Sequence, residues 1–164
     1  MMKIIENFLE DDFFKSLKHL VMYDEFPWFK RKTMVNGTSD NLGYFTHSFF
    51  NNNNINSDYH IKYISPILKK LEAKAIIEVR ANLSPSSFYG ENACAFHIDN
   101  SYQSKTAILY LNTCDGGTEF KINGEIKFVK ADENKIVIFD SNIYHRGTKS
   151  IDQDFRYIIN FNYF

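Results

Sequence analysis

Four side chains in the second half of the chain could act as one chemical unit: His97, Asp99, His145 and Arg156. In Phe96-His97-Ile98-Asp99 the histidine and the aspartate are two apart, so in an extended segment both project to the same side and could grip one metal ion. A His-x-Asp pair alone is a weak signal, because it arises by chance in many chains. Two residues further along the chain give it weight. His145 comes 46 residues after Asp99, at the start of a predicted strand and behind the run Lys135-Ile136-Val137-Ile138-Phe139-Asp140. Arg156 lies 11 residues further on, across the polar turn Asp152-Gln153-Asp154. Two imidazoles and one carboxylate on one face of an iron ion leave the opposite positions open to an oxo-acid and dioxygen. Arginine suits the fourth place: its planar fork holds a carboxylate by two charge-assisted hydrogen bonds, a geometry that lysine cannot copy.

The elements that must position these residues are mostly strands. From residue 76 onward, β-rich runs alternate with Gly, Asn and Asp turns: Ile76 to Leu83, Lys105 to Asn112, Thr118 to Ile122, Glu125 to Val129, Lys135 to Phe139, Tyr144 to Thr148 and Phe155 to Phe164. Regular short strands with such punctuation predict a sandwich or barrel. The last run sorts by face: Tyr157, Ile159, Phe161 and Tyr163 form an apolar surface, while Arg156, Ile158, Asn160 and Asn162 share the other. An arginine and two amides on an inward face make sense if the interior is a cleft for a polar ligand; the alternative leaves that face in water.

Upstream, residues 10 to 23 place Phe13, Leu17, Leu20 and Val21 at helical spacing with acids in the first turn, predicting an amphipathic helix. A second helix is expected from a Ser57 or Asp58 cap to about Lys74, with Ile61, Ile64, Ile67, Leu68 and Leu71 on one stripe and Pro66 kinking it or delaying its start. Between them, residues 26 to 57 read as aromatics and turn formers, with Asn51-Asn52-Asn53-Asn54 as an exposed loop and Trp28 in a packing cluster. The helices are expected to brace one face of the sheet.

The chain has 164 residues, 44% of them hydrophobic, enough for one core and one domain. Residues 1–75 supply mostly helical support and 76–164 the strand core. A formal charge of -1 gives no general attraction to nucleic acid or anionic lipid. The first residues lack a secretory pattern and no apolar run approaches membrane-spanning length, so a cytoplasmic enzyme with no membrane partner is expected. Cys94 and Cys114, too far apart for a Cys-x-x-Cys motif, read as reduced thiols.

At these residues the chain resembles the 2-oxoglutarate/Fe(II) oxygenase superfamily, its prolyl 4-hydroxylase-like branch and small phage-encoded relatives. The resemblance spans about residues 76 to 164. His97-Ile98-Asp99-Asn100 is similar to the family's His-x-Asp, Ile108-Leu109-Tyr110-Leu111-Asn112 to its third core strand, and Gly116-Gly117-Thr118-Glu119-Phe120 to its Gly-Gly turn. His145 and Arg156-Tyr157-Ile158-Ile159-Asn160-Phe161 complete the series in the family's order. The resemblance implies a double-stranded β-helix, or jelly roll, mainly β with flanking α-helices. It implies Fe(II) on His97, Asp99 and His145, with 2-oxoglutarate and O2 as co-substrates and ascorbate as an optional addition. It also implies that Arg156 and Tyr110 bind the oxo-acid carboxylate, with a nearby hydroxyl from Thr148. On β-strand 76–83 the same alignment turns Val79, Ala81 and Leu83 inward, away from Arg80 and Asn82. The family's pocket tyrosines fall near Leu83 and Cys94, so proline is not assured as the substrate. A carboxylate at Asp99 implies hydroxylation or another oxidation, not halogenation.

Three function classes stand against one another: the hydroxylating dioxygenase, a zinc-dependent hydrolase, and a non-catalytic jelly-roll binding protein. The hydrolase needs a general base aimed at metal-bound water, and no candidate is evident in the sequence. The binding protein has no reason to keep three ligands and an arginine. The substrate is left open among a peptidyl side chain such as proline, a free amino acid, a nucleotide and a small metabolite. His19, His47 and His60 lack ligand spacing and read as structural or surface residues.

Overall fold

The computed structural model describes residues 2–23, 25–31, 44–86 and 93–164. Seven strands carry the site: β5 (Ile76–Pro85), β6 (Lys105–Tyr110), β7 (Gly117–Ile122), β8 (Glu125–Lys130), β9 (Ile136–Asp140), β10 (His145–Thr148) and β11 (Phe155–Tyr163). They match the seven runs expected from the sequence, with ends shifted by one or two residues. Ahead of them come β1 (Met2–Ile5), helix α1 (Asp11–Tyr23), β2 (Phe29–Arg31), β3 (Tyr44–Asn51), β4 (Asn54–Ile55) and α2 (Ser65–Lys70).

The strands form two antiparallel layers. The larger runs β1-β9-β6-β11-β5-β3-β2, with β4 paired to β3; the smaller runs β10-β7-β8. The jelly-roll expectation agrees with this arrangement. β7 turns into β8 through Asn123 and Gly124, both at positive φ (53° and 82°), the signature of a tight hairpin whose twist matches its strands.

Alternation along each strand sorts residues between two cores. Ile159 and Phe161 of β11, Val79 and Ala81 of β5 and Ile136 of β9 turn outward, where Phe14, Leu17, Leu20 and Val21 of α1 cover them. Leu17 is fully buried there, and Leu17→Ala would cost about 2–5 kcal/mol. Their strand neighbours turn inward: Ile108 and Tyr110 of β6, Val137 and Phe139 of β9, and Ile158 of β11 meet Phe120 and Val129 of the small sheet. The helices therefore brace one face of the large sheet, as expected.

Two upstream expectations need correction. The long second helix is a π-helical turn over His60–Ile64 followed by the short α2, with Pro66 in its first turn, where a missing N–H costs nothing. The extra residue in the turn rotates Ile61 out of the expected stripe; it is 68% exposed, whereas Ile64, Ile67 and Leu68 stay buried. The region read as aromatics and turns contains β3, a member of the large sheet, and the Asn run is the turn of the β3–β4 hairpin, with Asn52 and Asn53 at positive φ.

Candidate metal and oxo-acid site

His97 and His145 face each other as an isolated antiparallel pair: the N–H of each donates to the carbonyl of the other at 2.9 Å. This closed pair sets their rings side by side, centroids 4.5 Å apart. Asp99, two residues past His97, is on the same side, held by its backbone N–H to the Ser141 carbonyl at 3.0 Å. Its Oδ1 lies 3.7 Å from the Nε2 of both histidines. The three donor atoms all lie within 4.8 Å of one another.

The tautomers fit a metal. His97 Nδ1 is 3.1 Å from the Ala95 carbonyl and His145 Nδ1 is 3.0 Å from the Ile143 carbonyl. A carbonyl only accepts, so each ring carries its proton on Nδ1 and presents the Nε2 lone pair to Asp99 and to an ion. Burial beside Phe120 and Phe139 pushes the His145 pKa below its ordinary value; the Asp99 carboxylate opposes that shift and the neighbouring His97 adds to it. A neutral imidazole is the form that ligates. Asp99 Oδ2 accepts a hydrogen bond from Thr106 Oγ1 at 2.8 Å, which leaves Oδ1 to face the histidines. Thr106 is fully buried, and Asn162 Oδ1 at 2.7 Å and Ser141 Oγ at 3.2 Å share its hydroxyl proton with Asp99.

His97 and His145 open onto a cleft with about 500 Å³ of space, its open mouth included, which Ser84, Ile108 and Thr118 also line. Arg156 lies at its floor, 2% exposed, with Nε and Nη1 lacking any partner. A buried, unpaired guanidinium costs several kcal/mol unless an anion meets it. Gly147 makes room for it: a Cβ there would come within 2.6 Å of Arg156 Nη2. The cation is thus cradled between β10 and β11 in the lining of the cleft, which suits an oxo-acid carboxylate.

Tyr110 and Thr148, the other two residues expected at the oxo-acid, each hydrogen-bond to a residue of β7. The Tyr110 hydroxyl donates to Thr118 Oγ1 at 2.7 Å, and it is Thr118 that lines the cleft. Burial raises the Tyr110 pKa to about 12, against the opposing pull of the Thr118 bond and Arg156, so the phenol stays protonated. Thr148 Oγ1 accepts the Gly117 N–H at 2.8 Å and ties β10 to β7; it is not among the described residues that line the cleft. On β5 the inward set is reversed: Arg80, Asn82 and Ser84 line the cleft, while Val79 and Ala81 belong to the outer core. Sequence reasoning also missed Thr106, although it alternates with Ile108 and Tyr110 on the inward face of β6. Cys94 lines the cleft and accepts the Gly147 N–H at 3.3 Å, and neither cysteine is in a disulfide. No described helix is long and apolar enough to cross a membrane.

No family model matches the sequence, and no curated protein matches it either. Solved structures do. A prolyl hydroxylase from Trichoplax adhaerens, in complex with a hypoxia inducible factor peptide fragment, superposes with a TM-score of 0.74 at 17% identity, covering 99% of this chain and 83% of that one. A Pseudomonas putida prolyl-4-hydroxylase gives 0.71 at 14% identity over 99% and 91%. HygX from Streptomyces hygroscopicus, with nickel and 2-oxoglutarate bound, gives 0.65 at 9% identity over 99% and 82%. Such likeness at such low identity speaks to architecture, and the chain has the double-stranded β-helix fold of the 2-oxoglutarate/Fe(II) oxygenases.

Proposed function

We propose that this chain is a 2-oxoglutarate- and Fe(II)-dependent dioxygenase that hydroxylates its substrate. The observation that carries this reading is the buried Arg156, its Nε and Nη1 unpartnered, in the lining of the same cleft as His97 and His145, whose donors converge with that of Asp99. The nickel and 2-oxoglutarate in HygX, which shares the fold, support the same pairing of metal and oxo-acid.

His97, Asp99 and His145 would hold the iron from one side, their donors fixed by the Ala95 and Ile143 carbonyls and by Thr106. Arg156 would bind the distal carboxylate of 2-oxoglutarate, with the Tyr110–Thr118 hydroxyl pair beside it. The apolar walls from Ile108 and Ile158 would exclude water. Iron with 2-oxoglutarate and O2 would supply the two-electron oxidation of a substrate C–H to C–OH, with succinate and CO2 released. A zinc hydrolase fits less well: the described residues lining the cleft include no Asp or Glu to act as general base.

Anaerobic addition of Fe(II) and then 2-oxoglutarate should give the weak visible charge-transfer band of a chelated oxo-acid, and admission of air should yield succinate. Zn(II) should occupy the site without either result. Metal binding with neither band nor succinate would move the protein to the hydrolase or binding-module class.

A further inference from the structure

Three buried polar atoms in the cleft are left over by the metal and oxo-acid assignments: Arg80 Nε, Asn82 Oδ1 and Asn160 Oδ1, none with a hydrogen-bond partner. Asn82 and Asn160 are only 8% and 6% exposed. They are neighbours by register, since β5 pairs with β11 through Asn160↔Arg80 and Ile158↔Asn82. Arg80 is anchored from outside the cleft, its Nη1 3.5 Å from Glu78 Oε2, while Asn51 Nδ2 donates to the other Glu78 oxygen at 3.3 Å. The buried Nε is what remains for a ligand.

Arg80 and Asn82, on β5, lie apart from the two sites already described, and Asn160, on β11, borders them. Asp99 is held over β6 by Thr106, and Arg156 sits on β11. β5 is two strands from β6, roughly 10 Å at the usual strand spacing. Arg80 is also four residues along β5 from Ser84, the cross-strand partner of Arg156, roughly 13 Å of strand. An oxo-acid running from the metal ligands to Arg156 would follow β11 past Asn160, which borders both ligands, and leave the β5 side of the cleft, with Arg80 and Asn82, to a second molecule.

The unpartnered atoms specify what that molecule carries. Arg80 Nε calls for an acceptor, best an anionic one, and the two amide oxygens call for N–H donors. A phosphate or simple diacid would set negative charge against both amide oxygens. An amine without a carboxylate would leave Arg80 unmet, and a residue inside a peptide chain has neither free group. We propose that Arg80, Asn82 and Asn160 form the subsite for the primary substrate, and that this substrate is a small molecule with a free α-amino-acid head group: carboxylate on Arg80, ammonium on Asn82 and Asn160. This rests on the dioxygenase reading for its chemistry, though the binding itself can be measured independently.

The test is calorimetric titration of free L-α-amino acids into the protein under anaerobic conditions, with and without Mn(II) and 2-oxoglutarate. At least one should bind, and its carboxamide and its decarboxylated amine should each bind tenfold or more weakly. Arg80→Met should weaken the amino acid at least tenfold and leave 2-oxoglutarate within twofold, Arg156→Met should do the reverse, and Arg80→Lys should fall between wild type and Arg80→Met. Circular dichroism checks that each variant folds. Failure of 2-oxoglutarate to bind the wild type would count against the dioxygenase reading and leave the amino-acid result to decide the subsite. The subsite proposal is overturned if no L-α-amino acid binds, if removing the carboxylate changes nothing, or if Arg80→Met weakens 2-oxoglutarate as much as Arg156→Met does.

Discussion

Two regions of this molecule bury histidine and use it in opposite ways. Between β3 and the aromatic residues before β2, both ring nitrogens of His47 are taken: Nδ1 is 3.0 Å from the Pro27 carbonyl and Nε2 is 2.8 Å from Ser57 Oγ. The ring packs on Phe26 and Phe49 at 4.4 and 4.8 Å. At the cleft, His97 and His145 bind backbone carbonyls through Nδ1 only and turn Nε2 toward Asp99. Burial alone does not mark a ligand, since His47 and His145 are both nearly inaccessible. The mark is the second nitrogen: where the fold satisfies it, the histidine is structural, and where the fold leaves it facing a carboxylate, the histidine is available to a metal.

The largest effect should separate these regions outright. His145→Ala should weaken Fe(II) binding by more than about a hundredfold, beyond what outer-shell changes cause, with the fold intact. His47→Phe should leave metal affinity within about twofold but lower stability by about 1–3 kcal/mol, because the Pro27 carbonyl and Ser57 hydroxyl lose their partner. Metal titration beside chemical denaturation checks both, and a His47→Phe protein that loses iron would erase the distinction between the two histidine environments.

Next in size is Thr106→Val, which keeps the shape of Thr106 but removes the hydrogen bond to Asp99 Oδ2. Metal affinity should drop about ten- to a hundredfold, and Thr106→Ser should recover most of it. Equal affinities for wild type and Thr106→Val would show that Asp99 needs no such support.

The residues that name the chemistry are legible because they keep a short spacing or a strict alternation. His97 and Asp99 are two apart, and β11 shows its polar and apolar faces openly. On β5 the simple alternation of Val79, Ala81 and Leu83 against Arg80, Asn82 and Ser84 points to the observed faces, but the family alignment shifts the register by one residue, which turns every side chain over. β3 escapes notice because its apolar positions do not alternate cleanly: a register irregularity between Ser48 and Phe50 breaks the two-residue period. Tyr110 lies on the expected strand and face, yet its hydroxyl meets Thr118, a contact made across layers that local sequence does not encode.

The smallest effect is on pH dependence and tests what the two regions share. Burial lowers the pKa of His47, His60 and His145 from 6.5. Below that value the unfolded chain binds more protons than the folded one, so this share of stability is complete above about pH 6.5 and lost as the pH falls. The metal-free protein should melt progressively lower from pH 7.5 to 5, and His47→Phe should shallow the slope. A melting temperature that rises on acidification would contradict the sign.

If one cleft holds a metal on His97, Asp99 and His145 and, separately, an oxo-acid on Arg156, the two affinities must respond independently to mutation. The decisive quantity is the affinity of Fe(II)-loaded protein for 2-oxoglutarate, measured anaerobically beside iron affinity in Arg156→Ala and Arg156→Lys. Charge-assisted hydrogen bonds are worth about 1.5–3 kcal/mol, so Arg156→Ala should bind 2-oxoglutarate roughly tenfold to several hundredfold more weakly. Arg156→Lys should lie between, and iron affinity should hold in both. Unchanged 2-oxoglutarate affinity in Arg156→Ala would mean that the oxo-acid does not bind at Arg156.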